Sequence, residues 1–187
     1  MPQEGLASTK LIRHVHGRLC DRLASNRWTH RASTTLAVVH IKEDRLAVLN
    51  VGDSRVYQAD EAGQWRRLSR DHTLLEGMID RGEAAPNKEY PSIYDGLEHM
   101  LVADVEERDF AMHRVTAELR VGDTLVLCTD GVHDTLGETE MWRLFDPDMG
   151  VAEQTARWRQ AVLKQGAPDN LSLICVRVTG NATEGPR

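Results

Sequence analysis

Thr124-Leu125-Val126-Leu127-Cys128-Thr129-Asp130-Gly131 reads as a strand that delivers a carboxylate into a turn. The run is apolar and of strand-forming type, and Asp-Gly ends it sharply. The same design recurs at two other places. Val48-Leu49-Asn50-Val51 leads into Gly52-Asp53-Ser54-Arg55, and Pro168-Asp169-Asn170 precedes Leu171-Ser172-Leu173-Ile174-Cys175-Val176. Carboxylates presented by tight turns at strand ends suit hard cations such as Mg²⁺ or Mn²⁺, which take oxygen ligands and keep positions open for water. A lone Asp-Gly carries little, because both residues form turns in any protein. Three such motifs in a fixed order, each with specific neighbours, point to a shared site.

That order resembles the metal-dependent protein phosphatase 2C family, in the style of its small bacterial members. Ser33-Thr34-Thr35 stands where the family has Gly-Thr-Thr, and Val51-Gly52-Asp53-Ser54-Arg55 matches its Val-Gly-Asp-Ser-Arg. Ser69-Arg70-Asp71-His72-Thr73-Leu74 is similar to its Asp-His segment. The stretch from Val121 to Val132 resembles Gly-Asp…Leu-Cys-Ser-Asp-Gly-Leu, and Gly166-Ala167-Pro168-Asp169-Asn170 resembles Gly-Gly-Pro-Asp-Asn. The resemblance spans residues 8–178 and implies an α+β, four-layer αββα sandwich of two antiparallel sheets flanked by helices. It also implies hydrolysis of phosphorylated serine and threonine on protein substrates. Asp130 and Asp169 would ligate one core metal and Asp53 a weaker third one, with Asn170, Gly131 and Arg55 in support. Phosphomonoester hydrolysis calls for such a cluster: water must be deprotonated near neutral pH, and charge on the phosphoryl oxygens must be neutralised.

One departure is informative. The family carries an early Asp-Gly-x-Gly-Gly-His, whose Asp bridges two metals and whose His is held to act as general acid, and these 187 residues contain no such segment. Met1 falls just before what would be the family's second helix. The sequence therefore predicts that the N-terminal strands are missing, that no catalytic residue is retained with confidence, and that hydrolysis is impaired. The alternative is a non-catalytic pseudophosphatase that binds a phosphoprotein or a partner. Missing strands also predict self-association through an exposed sheet edge.

Composition suits a single domain over residues 8–179 with a disordered tail at 180–187. The formal charge of −6 and the lack of a basic run argue against nucleic acid. No apolar stretch is long enough for a membrane span, and no signal-peptide pattern opens the chain, so a cytoplasmic location is expected. Cys20, Cys128 and Cys175 lack metal-ligand spacing and read as small buried thiols.

The apolar spacing predicts a helix over residues 8–24, with Leu11, Val15, Leu19 and Leu23 recurring every four residues, Ile12 widening that stripe and Ser8 as its cap. Strands are expected over 34–41, 45–51, 55–58 and 65–68, then a short helix over 73–81. Residues 83–98 show no period, and the resemblance places a flap there. Strands follow over 100–105, 111–117 and 124–129, helices over 138–145 and 151–164, and a last strand over 171–178. His14 and His16 lie about 200° apart around a helix and read as solvated. Asp71 reads as the cap of the helix after His72, and Arg55 as a partner for a carboxylate that holds the Asp53 turn. His133, two residues past Gly131, is a weaker candidate for the metal site than the three aspartates. Trp28, Trp65, Trp142 and Trp158 read as core or helix-packing residues.

Overall fold

The computed structural model describes residues 2–86, 88–104 and 109–180, with side chains from residue 9 onward. The chain runs through α1 (Pro2–Leu23), β1 (Ser33–Thr34), β2 (Leu36–Lys42), β3 (Arg45–Val51), β4 (Arg55–Ala59) and β5 (Trp65–Arg67). It continues with α2 (Leu74–Asp80), a 3₁₀ turn (Ser92–Asp95), β6 (Leu101–Val102), β7 (His113–Glu118), β8 (Thr124–Cys128), α3 (Asp130–Arg143), α4 (Val151–Lys164) and β9 (Leu173–Arg177). The expected tail over 180–187 falls almost wholly outside the described residues.

Two antiparallel sheets stack, one ordered β2-β3-β7 and the other β5-β4-β8-β9, while β1 and β6 form a small ribbon. Strand alternation assigns each side chain to one of three apolar layers. Leu46 and Val48 of β3 meet Val56 and Leu125 of the second sheet between the two sheets. Leu49 and Val51, on the other face of β3, pack with Ile12 of α1. Tyr57, Val126 and Cys128 line the far face of the second sheet against Val132, Trp158 and Val162 of α3 and α4. Helix, sheet, sheet, helix is the αββα arrangement that the resemblance implies. Burial pushes the Cys128 thiol up to about 12, so it stays protonated at neutral pH.

Several local expectations are corrected. The face of α1 that packs inward is Ile12, His16 and Cys20, whereas Leu11 is 62% and Val15 49% exposed. The stripe is rotated because β6 offers a polar partner: His16 Nε2 lies 2.8 Å from the Val102 carbonyl, so a buried imidazole is satisfied there. His16 is thus not solvated. Trp28 and Trp142 are exposed rather than core, and Trp28 lies against the Arg27 guanidinium. The helix expected over 138–145 begins instead at Asp130, with a break at Gly137 where φ is +71°. The glycine inside the pattern concealed the continuity.

At the β9 edge, Ile174 and Val176 are 56% and 40% exposed although they stand beside inward-facing Leu127 and Leu125. Among the described residues, β2, β7, β5 and β9 are the end strands of the two sheets, each paired on one side only. No helix among the described residues is long and apolar enough to cross a membrane.

Candidate active site

Antiparallel order places the three acidic motifs together. Arg55, at the start of β4, pairs with Cys128 at the end of β8, and Cys128 pairs with Leu173 at the start of β9. The chain segments holding Asp53, Asp130 and Asp169 therefore all leave the sheet at one end.

Asp130 opens α3, where the helix dipole favours a carboxylate. Gly131 makes the next contact possible: a Cβ there would overlap the Asn170 carbonyl oxygen and lie 2.9 Å from its carbonyl carbon. The first turn of α3 thus rests directly on the loop that carries Asp169. Thr129 N–H donates to Ser172 O at 3.1 Å, and Ser172 N–H donates to Thr129 Oγ1 at 3.0 Å, closing the join. Asp130 and Asp169 line one cavity of about 240 Å³ with Gly131, Asp134, Thr135 and Pro168. One oxygen of each carboxylate accepts the N–H of the following residue, at 2.8 Å for Asp130 and 2.6 Å for Asp169.

Asp53 does not line that cavity, but it stands within electrostatic reach. Burial, and then the Asp130 charge, hold its carboxyl above the usual range. Its turn needs Gly52, where φ is +92° and a Cβ would lie 2.7 Å from Thr35 Cβ. His133, buried on α3, sets Nε2 3.1 Å from the Asp53 carbonyl. Its Nδ1 lies 2.8 Å from Asp134 Oδ1, off the hydrogen-bond axis, and this contact holds the Asp134 carboxyl below its usual range. His133 was only a weak metal candidate in the sequence, and the structure turns it to the backbone of the Asp53 turn.

Asp71 does not cap α2. Thr73 does, its hydroxyl accepting the Glu76 N–H at 3.3 Å. Asp71 is taken by Arg55, through Nε at 2.9 Å and Nη2 at 2.6 Å. Burial alone would depress the Arg55 pKa, and the Asp71 carboxylate more than reverses that. Glu138 joins them, 3.4 Å from both Arg55 and Arg67, and accepts from Tyr57 Oη at 3.1 Å. Arg55 therefore does pair with carboxylates, those of Asp71 and Glu138. The network escaped sequence reasoning because its members are far apart in the chain and have no common spacing.

His72 accepts the Gly52 N–H through Nδ1 at 3.0 Å. Burial, with His99 and His113 nearby, pushes its pKa down to about 4 from an ordinary 6.5. An unfolded chain takes up this proton near 6.5, and the folded one only near 4, so stability falls as pH drops through that window. Because the ring is partly exposed, screening by water holds the expected loss to about 1–2 kcal/mol, roughly half the full linkage. Urea melts at pH 7.5 and 4.5 should show this loss shrink in His72→Asn, whose Oδ1 can take the same N–H. Equal pH dependence in both proteins would refute it.

A hard cation fits the donor set in part. Among the described residues, no three His, Cys, Asp or Glu side chains converge closely enough to hold an ion unaided. Two carboxylates on one cavity, with water completing the shell, nevertheless suit an octahedral ion of the Mg²⁺ type.

Residues 4–166 match the sequence model of the family described as protein phosphatase 2C. The Ser/Thr protein phosphatase PstP of Mycobacterium tuberculosis is 29% identical over 146 residues, which is 78% of this chain and 27% of that protein. The Ser/Thr phosphatase stp of Listeria monocytogenes is 25% identical over 167 residues, 89% of this chain and 65% of that one. The chain thus spans about a quarter to just under two thirds of the length of these relatives. The crystal structure of Stp1 from Staphylococcus aureus superposes with a TM-score of 0.80 at 19% identity, covering 96% of this chain and 70% of that one. The catalytic domain of PstP in complex with two manganese ions gives a TM-score of 0.72 at 22% identity, covering 90% and 69%. These structural likenesses establish the fold.

Proposed function

The chain belongs to the protein phosphatase 2C family, and on that premise we propose that it is a metal-dependent phosphatase acting on phosphoserine and phosphothreonine in proteins. The observation that carries this reading is the shared cavity of Asp130 and Asp169, two carboxylates brought together from distant parts of the chain. Asp130 and Asp169 would hold Mg²⁺ or Mn²⁺, with Asp53 as the site of a weaker further ion. When bound, such an ion supplies Lewis acidity and a water acidic enough to attack near neutral pH. Gly131 and the Asn170 backbone set the spacing of the two carboxylates. Arg55 anchors Asp71 and so supports the end of the sheet rather than the phosphate. Three free thiols among the described residues agree with a reducing, cytoplasmic setting.

A second reading, a phosphoprotein-binding module without turnover, is favoured by two observations. The Asp-Gly-x-Gly-Gly-His segment is absent from these residues, and no three donors converge on one point among those described. Phosphate release from a phosphothreonine peptide at millimolar Mn²⁺ separates the two. Release is expected to be slow, because loss of general acid catalysis costs about 10²–10⁴-fold. It should require Mn²⁺ and vanish in Asp130→Asn and in Asp169→Asn. Peptide binding without Mn²⁺-dependent release would make the binding module the better account.

A further inference from the structure

The turn carrying Asp53 is pinned at three consecutive residues by side chains from three other segments. Gly52 donates its N–H to His72 Nδ1 at 3.0 Å, the Asp53 carbonyl faces His133 Nε2 at 3.1 Å, and Ser54 Oγ lies 2.8 Å from Thr35 Oγ1. Such bracing has a physical reason. Asp53 and Asp130 are both carboxylates within electrostatic reach, and like charges in a partly buried site drive each other apart. A turn held only by its own backbone would relax by swinging Asp53 away.

The central pin differs from the other two because of where it comes from. His133 is three residues after Asp130 on α3, and positions i and i+3 share one side of a helix. The first turn of α3 therefore carries Asp130 together with the group that holds the Asp53 peptide. His133 is 3% exposed, with no room to turn elsewhere without repacking. We propose that His133 is a positioning residue: through the Asp53 carbonyl it holds the β3–β4 turn against α3, so that Asp53 and Asp130 move as one unit. This rests on the reading of those two carboxylates as metal-binding groups, but the geometric part of it can be tested without metal.

Two substitutions separate the pin from mere packing. The Gln amide nitrogen can occupy the place of Nε2, whereas the Asn amide reaches only as far as Nδ1. His133→Gln is thus expected to keep the bond to Asp53 and His133→Asn to lose it, although both are polar and smaller than His. In the metal-free protein, ¹⁵N order parameters of Asp53 and Ser54 should fall from about 0.85 to below about 0.6 in His133→Asn, with β4 and β8 unchanged. In His133→Gln they should stay near the native value. In calorimetric titration with MnCl₂, His133→Asn should weaken binding about tenfold, as loss of a group that orients a ligand typically does. Combined with Asp53→Asn it should add nothing further. Unchanged order parameters in His133→Asn, or equal loss in both variants, would overturn the positioning role. If Asp130→Asn leaves Mn²⁺ binding intact, the metal-site reading fails by itself, and the order parameters still decide for or against the pin.

Discussion

Replacing Arg55 by Ala is expected to destabilise the protein by about 3–5 kcal/mol, the range for breaking a buried ion pair by removing one partner. Asp71 is the reason. Its side chain is 6% exposed, and Arg55 approaches it through two nitrogens. Without the guanidinium, a buried carboxylate keeps, among the described residues, Arg67, 3.6 Å away and more exposed. That residual partner should hold the loss toward the lower end of the range. Glu138 sits at the solvent side of the same network with 44% of its side chain exposed, so Glu138→Gln should cost less than about 1 kcal/mol. Removing both charges, as in Arg55→Met with Asp71→Leu, should restore much of the stability, because the desolvation penalty disappears with the pair. Urea denaturation of the four proteins measures all of this. A loss below about 1 kcal/mol in Arg55→Ala would show that water reaches Asp71 and replaces the guanidinium.

Gly131→Ala should separate the two carboxylates of the site. In an isolated helix the change would stabilise by about 1 kcal/mol. Here the new methyl group would run into the Asn170 carbonyl and come within 3.4 Å of Leu171 Cα, backbone atoms that cannot rotate away. Overpacking of this kind costs about 1–3 kcal/mol, and the tertiary clash outweighs the helical gain. Relief requires the loop carrying Asp169 to move off α3, so Mn²⁺ affinity should fall at least about tenfold along with the melting temperature. Gly17→Ala is the matched control, since nothing lies within 4 Å of a Cβ at that helical position. It should be neutral or stabilising, with metal affinity unchanged. A Gly131→Ala protein as stable as the parent would mean that the loop yields freely and does not set the spacing.

The strands, the short helix after Thr73 and the acidic motifs that close β8 and precede β4 and β9 could be read from the sequence, because each depends on neighbours a few residues away. Short apolar runs mark β3 and β8, and a glycine or proline beside each aspartate marks the turn. The four-layer arrangement followed from motif order through resemblance, and the register of β4, β8 and β9 agrees with it by bringing the three turns to one end of the sheet.

Other features depended on partners far along the chain. The inward face of α1 is Ile12, His16 and Cys20 because the Val102 carbonyl accepts a buried imidazole, and four-residue spacing alone could not choose between that face and Leu11 with Val15. Asp71 was available as a helix cap until Arg55 claimed it, and His133 was available as a ligand until the Asp53 carbonyl took its Nε2. Local spacing determines which backbone conformations and faces a segment can adopt. Which polar group satisfies which is decided only on folding, when burial makes an unpartnered donor or charge cost more than the ordering needed to pair it.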